Sequence, residues 1–595
     1  MCFNNSPASY NKGLNPNKSN DLDYRRLVRQ SKRVEASEHP VQVRVALLSD
    51  AATQQFVPVL KTLFHENGVG AHFYEGAFDA MELEAINPAS GLYAFKPDVV
   101  VLLNSTQALR SRYYEQGIAS EAEKIQRIWD AIARHSTCRV IQCNFPLPFE
   151  RVFGQFDLKL QNSFYTDTQS LNRAITEAAG GRADVLLCDL ESVASFVGRR
   201  VWFDERLWDM SKTFCALDYL PLAAQAIVDV VLAGLGRVVK CVILDLDNTL
   251  WGGVVGDLGA HAVQIGSHGD GEAFYRFQKY LLTLKNRGIL LAVCSKNELA
   301  NAVAPFDQNS EMVLKRDDIT VFVANWENKA DNIRKIRDTL EIGFDSMVFL
   351  DDNPFERNLV RNFLPDVIVP ELPEDPADYV RAVSELNLFE TTAFSAEDVA
   401  RSALYKQEAE RRQAQASYTD VTEYLQSLDM QLELGRFEAE KIGRISQLFL
   451  RSNQFNLTTH RYSEAECTAM MNDTSGCIPL QASLSDRFGD HGLISIVVGW
   501  PERDTLRMSD WLMSCRVLGR GVEQYLMNHV FARARDLGLS KVSGEYLPTA
   551  KNGMVKDFWS RFGFSQVSES KWELAVDQFL PATVWIRDSL AVANR

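Results

Sequence analysis

Short, almost unbroken apolar runs, each followed by a helical pattern, recur through the first 390 residues, and few folds accept them. The first set is Val45-Ala-Leu-Leu-Ser-Asp50, Pro97-Asp-Val-Val-Val-Leu-Leu-Asn104, Cys138–Cys143 and Val185–Cys188. A second set begins at Val238 with Cys241–Leu244, Ile289–Cys294, Thr320–Val323 and Ser346–Leu350. Strands without polar alternation must be covered on both faces, which predicts parallel sheets flanked by helices. From about Met430 the pattern changes to helices, an antiparallel hairpin over residues 492–515, another helix and a last strand, as in an α+β domain. The 595 residues are too many for one core. The expected division is a flexible polar tail (1–40), an α/β domain (41–237), a second α/β domain (238–390), a charged helical linker (391–428) and an α+β domain (429–595).

Composition narrows the function classes. The chain is 46% hydrophobic and 24% charged, which excludes a wholly disordered, collagen-like or disulfide-scaffold protein. Its formal net charge of −15 argues against nucleic acid or an anionic membrane as general partner. No apolar run is read as reaching the roughly 18 residues of a membrane span. The first forty residues lack the apolar core of a signal peptide. Ten cysteines without CxxC spacing fit a cytoplasmic chain with reduced thiols and no structural zinc.

The strongest motif is Val242-Ile-Leu-Asp-Leu-Asp-Asn-Thr-Leu250. An apolar strand ends at Asp245, with Asp247 and Thr249 in the loop at its carboxyl end, the edge where open α/β sheets bind ligands. One carboxylate can attack phosphorus while the other donates and later withdraws a proton. Crowded carboxylates also call for Mg²⁺. Ser295 follows the next strand and can hydrogen-bond a phosphoryl oxygen. Lys329 opens the helix 329–340 and can neutralise developing charge. Asp351 and Asp352 follow Val348–Leu350 and can complete the metal site.

This pattern resembles the haloacid dehalogenase superfamily, with a Rossmann-like parallel sheet. The resemblance implies Asp245 as nucleophile and Asp247 as general acid/base, with Thr249, Ser295 and Lys329 on the phosphate. For Mg²⁺ it implies Asp245, Asp247 through its backbone carbonyl, and Asp352 in preference to Asp351. Trp251-Gly-Gly-Val-Val-Gly256 reads as a short hairpin flap, which leaves room for a substrate on a larger carrier. The longer stretch Asp245–Gly256 is similar to the FkbH-like subfamily, as are Cys294-Ser-Lys-Asn297, Leu350-Asp-Asp-Asn-Pro-Phe-Glu356, Ser452-Asn-Gln-Phe-Asn-Leu-Thr-Thr459 and Phe488-Gly-Asp-His-Gly492. That family implies loading of a three-carbon glyceryl unit from a 1,3-bisphosphoglycerate-type donor, loss of phosphate, and transfer to the phosphopantetheine thiol of an acyl carrier protein in polyketide or related biosynthesis.

In the last domain, Arg516-Val-Leu-Gly519-Arg520-Gly521 follows an apolar strand and opens a helix, a place where backbone N–H groups can face phosphate. The spacing resembles the pyrophosphate loop of GNAT acyltransferases and implies a GNAT-like α+β fold. Arg516, Gly519, Arg520 and Gly521 would then bind coenzyme A or the carrier's arm, with Lys551, Lys556 and Arg561 adding a basic face. The apolar phase slips between Leu506/Met508 and Trp511/Met513, as a β-bulge near Ser509–Asp510 would cause. GNAT strands commonly splay there around the acyl-thioester. A hairpin centred on Arg503 sets His491 opposite Cys515, which makes Cys515 the candidate acyl nucleophile and His491 its base. Asp490 is a candidate to orient that imidazole. A buried strand cysteine and a turn histidine are the plain alternative.

In the first domain, Ser49-Asp50 and Asn104 after buried strands faintly resemble the SGNH hydrolases. No histidine lies between His135 and His261 to complete a triad, so the domain reads as a degenerate, non-catalytic SGNH-like three-layer module. The expected protein is a bifunctional phosphatase and glyceryl transferase. The alternatives are a Mg²⁺ phosphatase with a partner-docking last domain, or a coenzyme A-dependent N-acyltransferase.

Overall fold

A computed structural model describes residues 22–393 and 420–588, apart from 453, 488, 515, 516 and 550. Most of the expected linker and residues 1–21 therefore lie outside the described residues. The chain divides into two compact units, one ending at Arg237 and including Glu390–Thr392, the other running over Val238–Phe389 and the remaining described residues.

In the first unit, β1 (Gln42–Ser49), β2 (Gly70–Glu75), β3 (Val99–Leu103), β4 (Arg139–Cys143) and β5 (Val185–Cys188) form one parallel sheet in the order β2-β1-β3-β4-β5. Every residue of β3 is buried, because alternate residues feed different cores on the two faces. Val101 and Leu103 pack with the helices Val57–Glu66 and Leu220–Gly234, whereas Val100 and Leu102 pack with Trp129 and Ile132. Burying each such side chain contributes about 1.5–3 kcal/mol, which fixes the strand between two helical layers.

Two expectations are corrected here. Residues 24–31 are not a tail: they form a helix capped by Asp23, and Leu27 is fully buried beside Leu60 and Leu63. The many polar residues on its outer face hide a single inward leucine. Also, Leu217–Gly234 does reach the length and mean hydropathy of a membrane span, with half of that window buried. Its apolar side, Ile227, Val228 and Val231, belongs to the same core as β1.

The second unit starts with β6 (Cys241–Leu244), β7 (Leu290–Ser295), β8 (Val321–Ala324) and β9 (Met347–Leu350), a parallel sheet ordered β8-β7-β6-β9. Its central strand β6 sends Val242 and Leu244 to one core and Cys241 and Ile243 to the other. All four strands point their carboxyl ends the same way, so Asp245, Ser295 and Asp351 arrive at one edge.

The same unit ends in an eight-stranded mixed sheet. Its strands are β10 (Met430–Arg436), β11 (Ile478–Asp486), β12 (Gly489–Glu502), β13 (Thr505–Met513), β14 (Lys541–Glu545), β15 (Ser565–Gln566), β16 (Lys571–Ala575) and β17 (Ile586–Asp588), ordered β15-β16-β14-β13-β12-β11-β10-β17. The bulge expected on β13 is present. Val498 pairs with Asp510 but Gly499 pairs with Met508, which leaves Ser509 as the extra residue. That single insertion returns Trp511 and Met513 to the face of Leu506 and Met508, under the helix Val522–Asp536.

Candidate active site

Asp245 continues β6 by donating its N–H to the Leu350 carbonyl (3.0 Å), and its side chain is buried at the sheet edge. Lys329 is the first residue of the helix Lys329–Leu340, whose N-cap Asn328 accepts from Ala330 N. The Lys329 Nζ lies 3.0 Å from Asp245 Oδ2 and 2.5 Å from Asp351 Oδ2. Burial alone would lower the ammonium, but Asp245 and Asp351 hold it well above its usual range. Burial pushes the Asp351 carboxyl up to about 7, Asp245 pushes the same way, and Lys329 pulls against both. The Asp352 carboxyl is also raised, by burial and then by Asp245. Three acids around one cation are thus more negative than the protein alone compensates.

The donor set fits a hard cation. Carboxylate oxygens of Asp245, Asp351 and Asp352 lie within 4.8 Å of one another, and Asp245 Oδ1 is buried with no hydrogen-bond partner. All-oxygen carboxylate clusters of this kind suit Mg²⁺. Thr249 is fully buried and exchanges hydrogen bonds with Asp352: its hydroxyl donates to Oδ1 (3.3 Å) and accepts from the Asp352 N–H (3.1 Å). Ser295 is buried at the end of β7.

Asp247 is held differently. Its Oδ1 accepts from Trp251 Nε1 (2.9 Å) and Val255 N (3.0 Å), and its Oδ2 accepts from Asn297 Nδ2 (2.8 Å). These donors come from the flap and from the loop after β7, and the Asp247 carboxylate is not among the three clustered acids. The flap is not a simple hairpin within 251–256. Gly252 exchanges two backbone hydrogen bonds with Gln264, and Val255–Leu258 form a helical turn between them.

Sequence reasoning missed three supporting residues. Asn297 stood in a quoted motif without a role. Buried Arg357, one residue past another quoted motif, donates through Nη1 to the carbonyls of Asp351 (2.8 Å) and Asp352 (2.6 Å) and pairs with Glu371. The Tyr379 hydroxyl donates to the Asn248 carbonyl (3.0 Å), and no local pattern announces it. A cleft of about 730 Å³ adjoins the site, lined by Asn248, Gly252, Gln264, Arg276, Asp352 and Tyr379 among others.

The last domain departs further from expectation. Cys515 and Arg516 lie outside the described residues. The hairpin is not centred on Arg503: Glu502 pairs with Thr505, and past the bulge Ser495 pairs with Met513. That register is two residues away from the one that sets 491 opposite 515. One residue comes from the turn centre and one from the Ser509 bulge. His491 is buried, with Nε2 3.0 Å from Asp486 Oδ2 and 3.0 Å from Arg520 Nη1. Asp490 does not orient the ring; its Oδ1 accepts from Gly492 N. Gly519 and Gly521 both have positive φ, and with Arg520 they line a cavity of about 370 Å³ beside Arg561, Met554 and Trp585. The basic face is smaller than expected, because Arg520 is buried against Asp486 and Lys551 pairs with Asp345. Among the described residues the eight cysteines are all buried and free. Burial pushes the thiols of Cys138, Cys215, Cys241, Cys294, Cys467 and Cys477 up, away from nucleophilic thiolates.

Strands β13 and β14 pair only from Thr505 to Met508 and then part, but no open slot results. The segment 455–458 runs along the gap, with one isolated bridge between Asn456 and Leu512. Met513 N donates to Phe455 O, Leu457 N to Trp511 O and Leu547 N to Leu457 O, while Asn552 Nδ2 donates to Asn456 O. The place expected for an acyl-thioester is taken by the chain itself. Where that segment leaves the gap, Thr458, His460 and Tyr462 all bond Asp510 at the bulge.

In the first unit, Ser49 Oγ donates to the Leu103 carbonyl and accepts from Ala51 N, and Asp50 pairs with Arg112. Both side chains are committed to the fold.

The family model for the FkbH N-terminal domain matches residues 44–232. The crystal structure of the N-terminal part of the protein BF1531 from Bacteroides fragilis, containing a phosphatase domain complexed with Mg, is 41% identical to this chain. It matches 62% of this chain and 100% of that one, with a TM-score of 0.59. This chain belongs to the FkbH-like family. Two acetyltransferase structures also match parts of this FkbH-like chain. The ribosomal-protein-S18-alanine N-acetyltransferase from Escherichia coli is 11% identical over 24% of this chain and 94% of its own, and the GNAT domain of S. lividans PAT is 18% identical over 24% and 89%, each with a TM-score of 0.20. Such scores carry no argument, so the α+β reading of the last domain stands on its own strand order. No curated protein matches the chain.

Proposed function

We propose that this FkbH-like protein is a bifunctional enzyme that removes phosphate from a three-carbon phosphoglyceryl unit and passes the glyceryl group to the phosphopantetheine thiol of an acyl carrier protein, in the cytoplasm, for polyketide or related biosynthesis. The observation that carries the phosphatase half is the cluster of Asp245, Lys329, Asp351 and Asp352 at one sheet edge, with Asp247 held separately two residues on. Asp245 attacks phosphorus, and Asp247 gives a proton to the leaving oxygen and then takes one from water. Thr249 and Ser295 orient phosphoryl oxygens, and Lys329 offsets the charge that builds on them. The Bacteroides relative was crystallised with Mg, and here Asp245, Asp352 and the Asp247 carbonyl would hold that ion. Bound there, Mg²⁺ neutralises phosphate charge.

The transfer half rests on family membership and on the cavity at Gly519–Gly521. One alternative, a Mg²⁺ phosphatase with a docking domain, is favoured by the hairpin register, which does not set 491 opposite 515. The other is an N-acyltransferase using coenzyme A, and the filled gap beside β13 does not separate it from the carrier-linked reading. The test is phosphate release from a phosphate ester of a three-carbon hydroxy acid. It should need divalent cation, stop on chelation, and be abolished in Asp245→Asn; chelator-resistant release would overturn the reading.

A further inference from the structure

A cluster in the first unit is used by neither chemistry. Glu38 ends the short turn Ala36–Glu38, His39 follows it, and His65 sits in the last turn of the helix Val57–Glu66. His39 Nε2 and His65 Nδ1 face each other at 2.7 Å, and a Glu38 carboxylate oxygen lies 3.8 Å from the same His65 nitrogen. All three donor atoms fall within 4.8 Å of one another.

We propose that Glu38, His39 and His65 form a binding site for a divalent transition metal of the Zn²⁺ class, which clips the segment ahead of β1 onto the helix Val57–Glu66. Two imidazole nitrogens and one carboxylate oxygen are a donor set that Zn²⁺ takes, with water in the fourth position. Two nitrogens on a tetrahedral Zn²⁺ with bonds of about 2.0–2.1 Å stand roughly 3.3 Å apart. The pair therefore has to open by about 0.6 Å, which small χ rotations of two half-buried rings supply. A single hydrogen bond satisfies one lone pair of the facing nitrogens, whereas a metal takes both and the carboxylate too. The backbone that carries the first two donors is already fixed. Gln42 donates to the carbonyls of Ala36 and His39, and its own side-chain oxygen faces His72 Nε2 at 3.1 Å. The third donor comes from a different element, so a bound metal joins two parts of the fold separated by 26 residues in sequence.

The experiment uses the full chain without a histidine tag, stripped by chelator and held in excess Mg²⁺ so that the aspartate cluster is occupied. Titration with Co²⁺ should give the visible absorption of a low-coordinate site at one equivalent, displaced by Zn²⁺. His39→Ala and His65→Ala should each weaken binding by about 10- to 100-fold or more, a ligand costing at least what its supporting groups do, while His135→Ala, whose ring packs on Tyr93, leaves it unchanged. Zn²⁺ should raise the melting temperature of the wild type and not of His39→Ala. Absence of stoichiometric Co²⁺ binding at micromolar concentration, or wild-type binding by both histidine variants, would overturn the proposal.

Discussion

Asp247 gives both carboxylate oxygens to fixed donors, Trp251, Val255 and Asn297, whereas Asp245 keeps one oxygen on Lys329 and one without a partner. Under the proposed function, that difference suits Asp247 to proton transfer and Asp245 to nucleophilic attack. Asp247→Asn should slow phosphate release by about 10²–10⁴, the usual worth of a positioned acid/base. Asn297→Ala leaves Asp247 in place but frees one oxygen, so it should lower kcat with little effect on KM; an unchanged kcat would contradict the positioning role. The identities of Asp245, Asp247, Lys329, Asp351 and Asp352 are legible in sequence because each sits directly after an apolar strand or opens a helix. Asn297, Arg357 and Tyr379 are not, because their partners are brought to them only by the tertiary path. His460 supplies a test of pH dependence. Its hydrogen bond to buried Asp510 raises it above 6.5, burial opposes, Glu545 adds and Arg507 subtracts. A raised value in the folded state stabilises fully below the unfolded pKa, and that contribution fades as pH rises through the folded one. The melting-temperature gap between wild type and His460→Gln should therefore shrink from about pH 6 to about pH 8. A gap that stays constant would show that the charge on His460 contributes nothing.

Strands β3, β6 and β9 could be read from sequence because unbroken apolar runs admit one explanation. The edge strand β2 and the alternating strand β10 could not. Gly70-Ala-His-Phe-Tyr-Glu75 and Met430-Gln-Leu-Glu-Leu-Gly-Arg436 mix polar and apolar types as many loops do. The bulge on β13 was legible as a slipped apolar phase. Either a one-residue bulge or a shifted turn centre is expected to move the register of 491 and 515, and here both occur and add. Beyond the bulge, the strand's free edge is satisfied by residues 455–458, a contact between segments more than fifty residues apart. Gly544 on β14 tests how tightly this region is packed. A Cβ there would stand 2.0 Å from the buried Trp559 ring, which is itself tied by Nε1 to the Glu545 carbonyl (3.0 Å). Gly544→Ala should destabilise the protein by about 1–3 kcal/mol through overpacking, measured by chemical denaturation. An unchanged midpoint would mean that the indole moves freely.

Across the whole molecule, the parallel sheet β8-β7-β6-β9 places its acidic cluster at strand ends, while the mixed sheet uses its own chain to close a gap. The proposed function puts phosphate chemistry and acyl chemistry on different sheets, so damage to one should spare the other. The cavity at the glycyl loop 519–521 is lined by none of the residues of the aspartate cluster, so a bulky change at Met554, which borders that cavity, should leave phosphate release unaltered. The central claim is that one chain both dephosphorylates and carries a glyceryl group. Intact-mass measurement after incubation with Mg²⁺ and a 1,3-bisphosphoglycerate-type donor tests it most directly. The account predicts an adduct of glyceryl mass, labile to hydroxylamine and lost on adding a phosphopantetheine thiol. An enzyme that releases phosphate while its own mass never changes would contradict it.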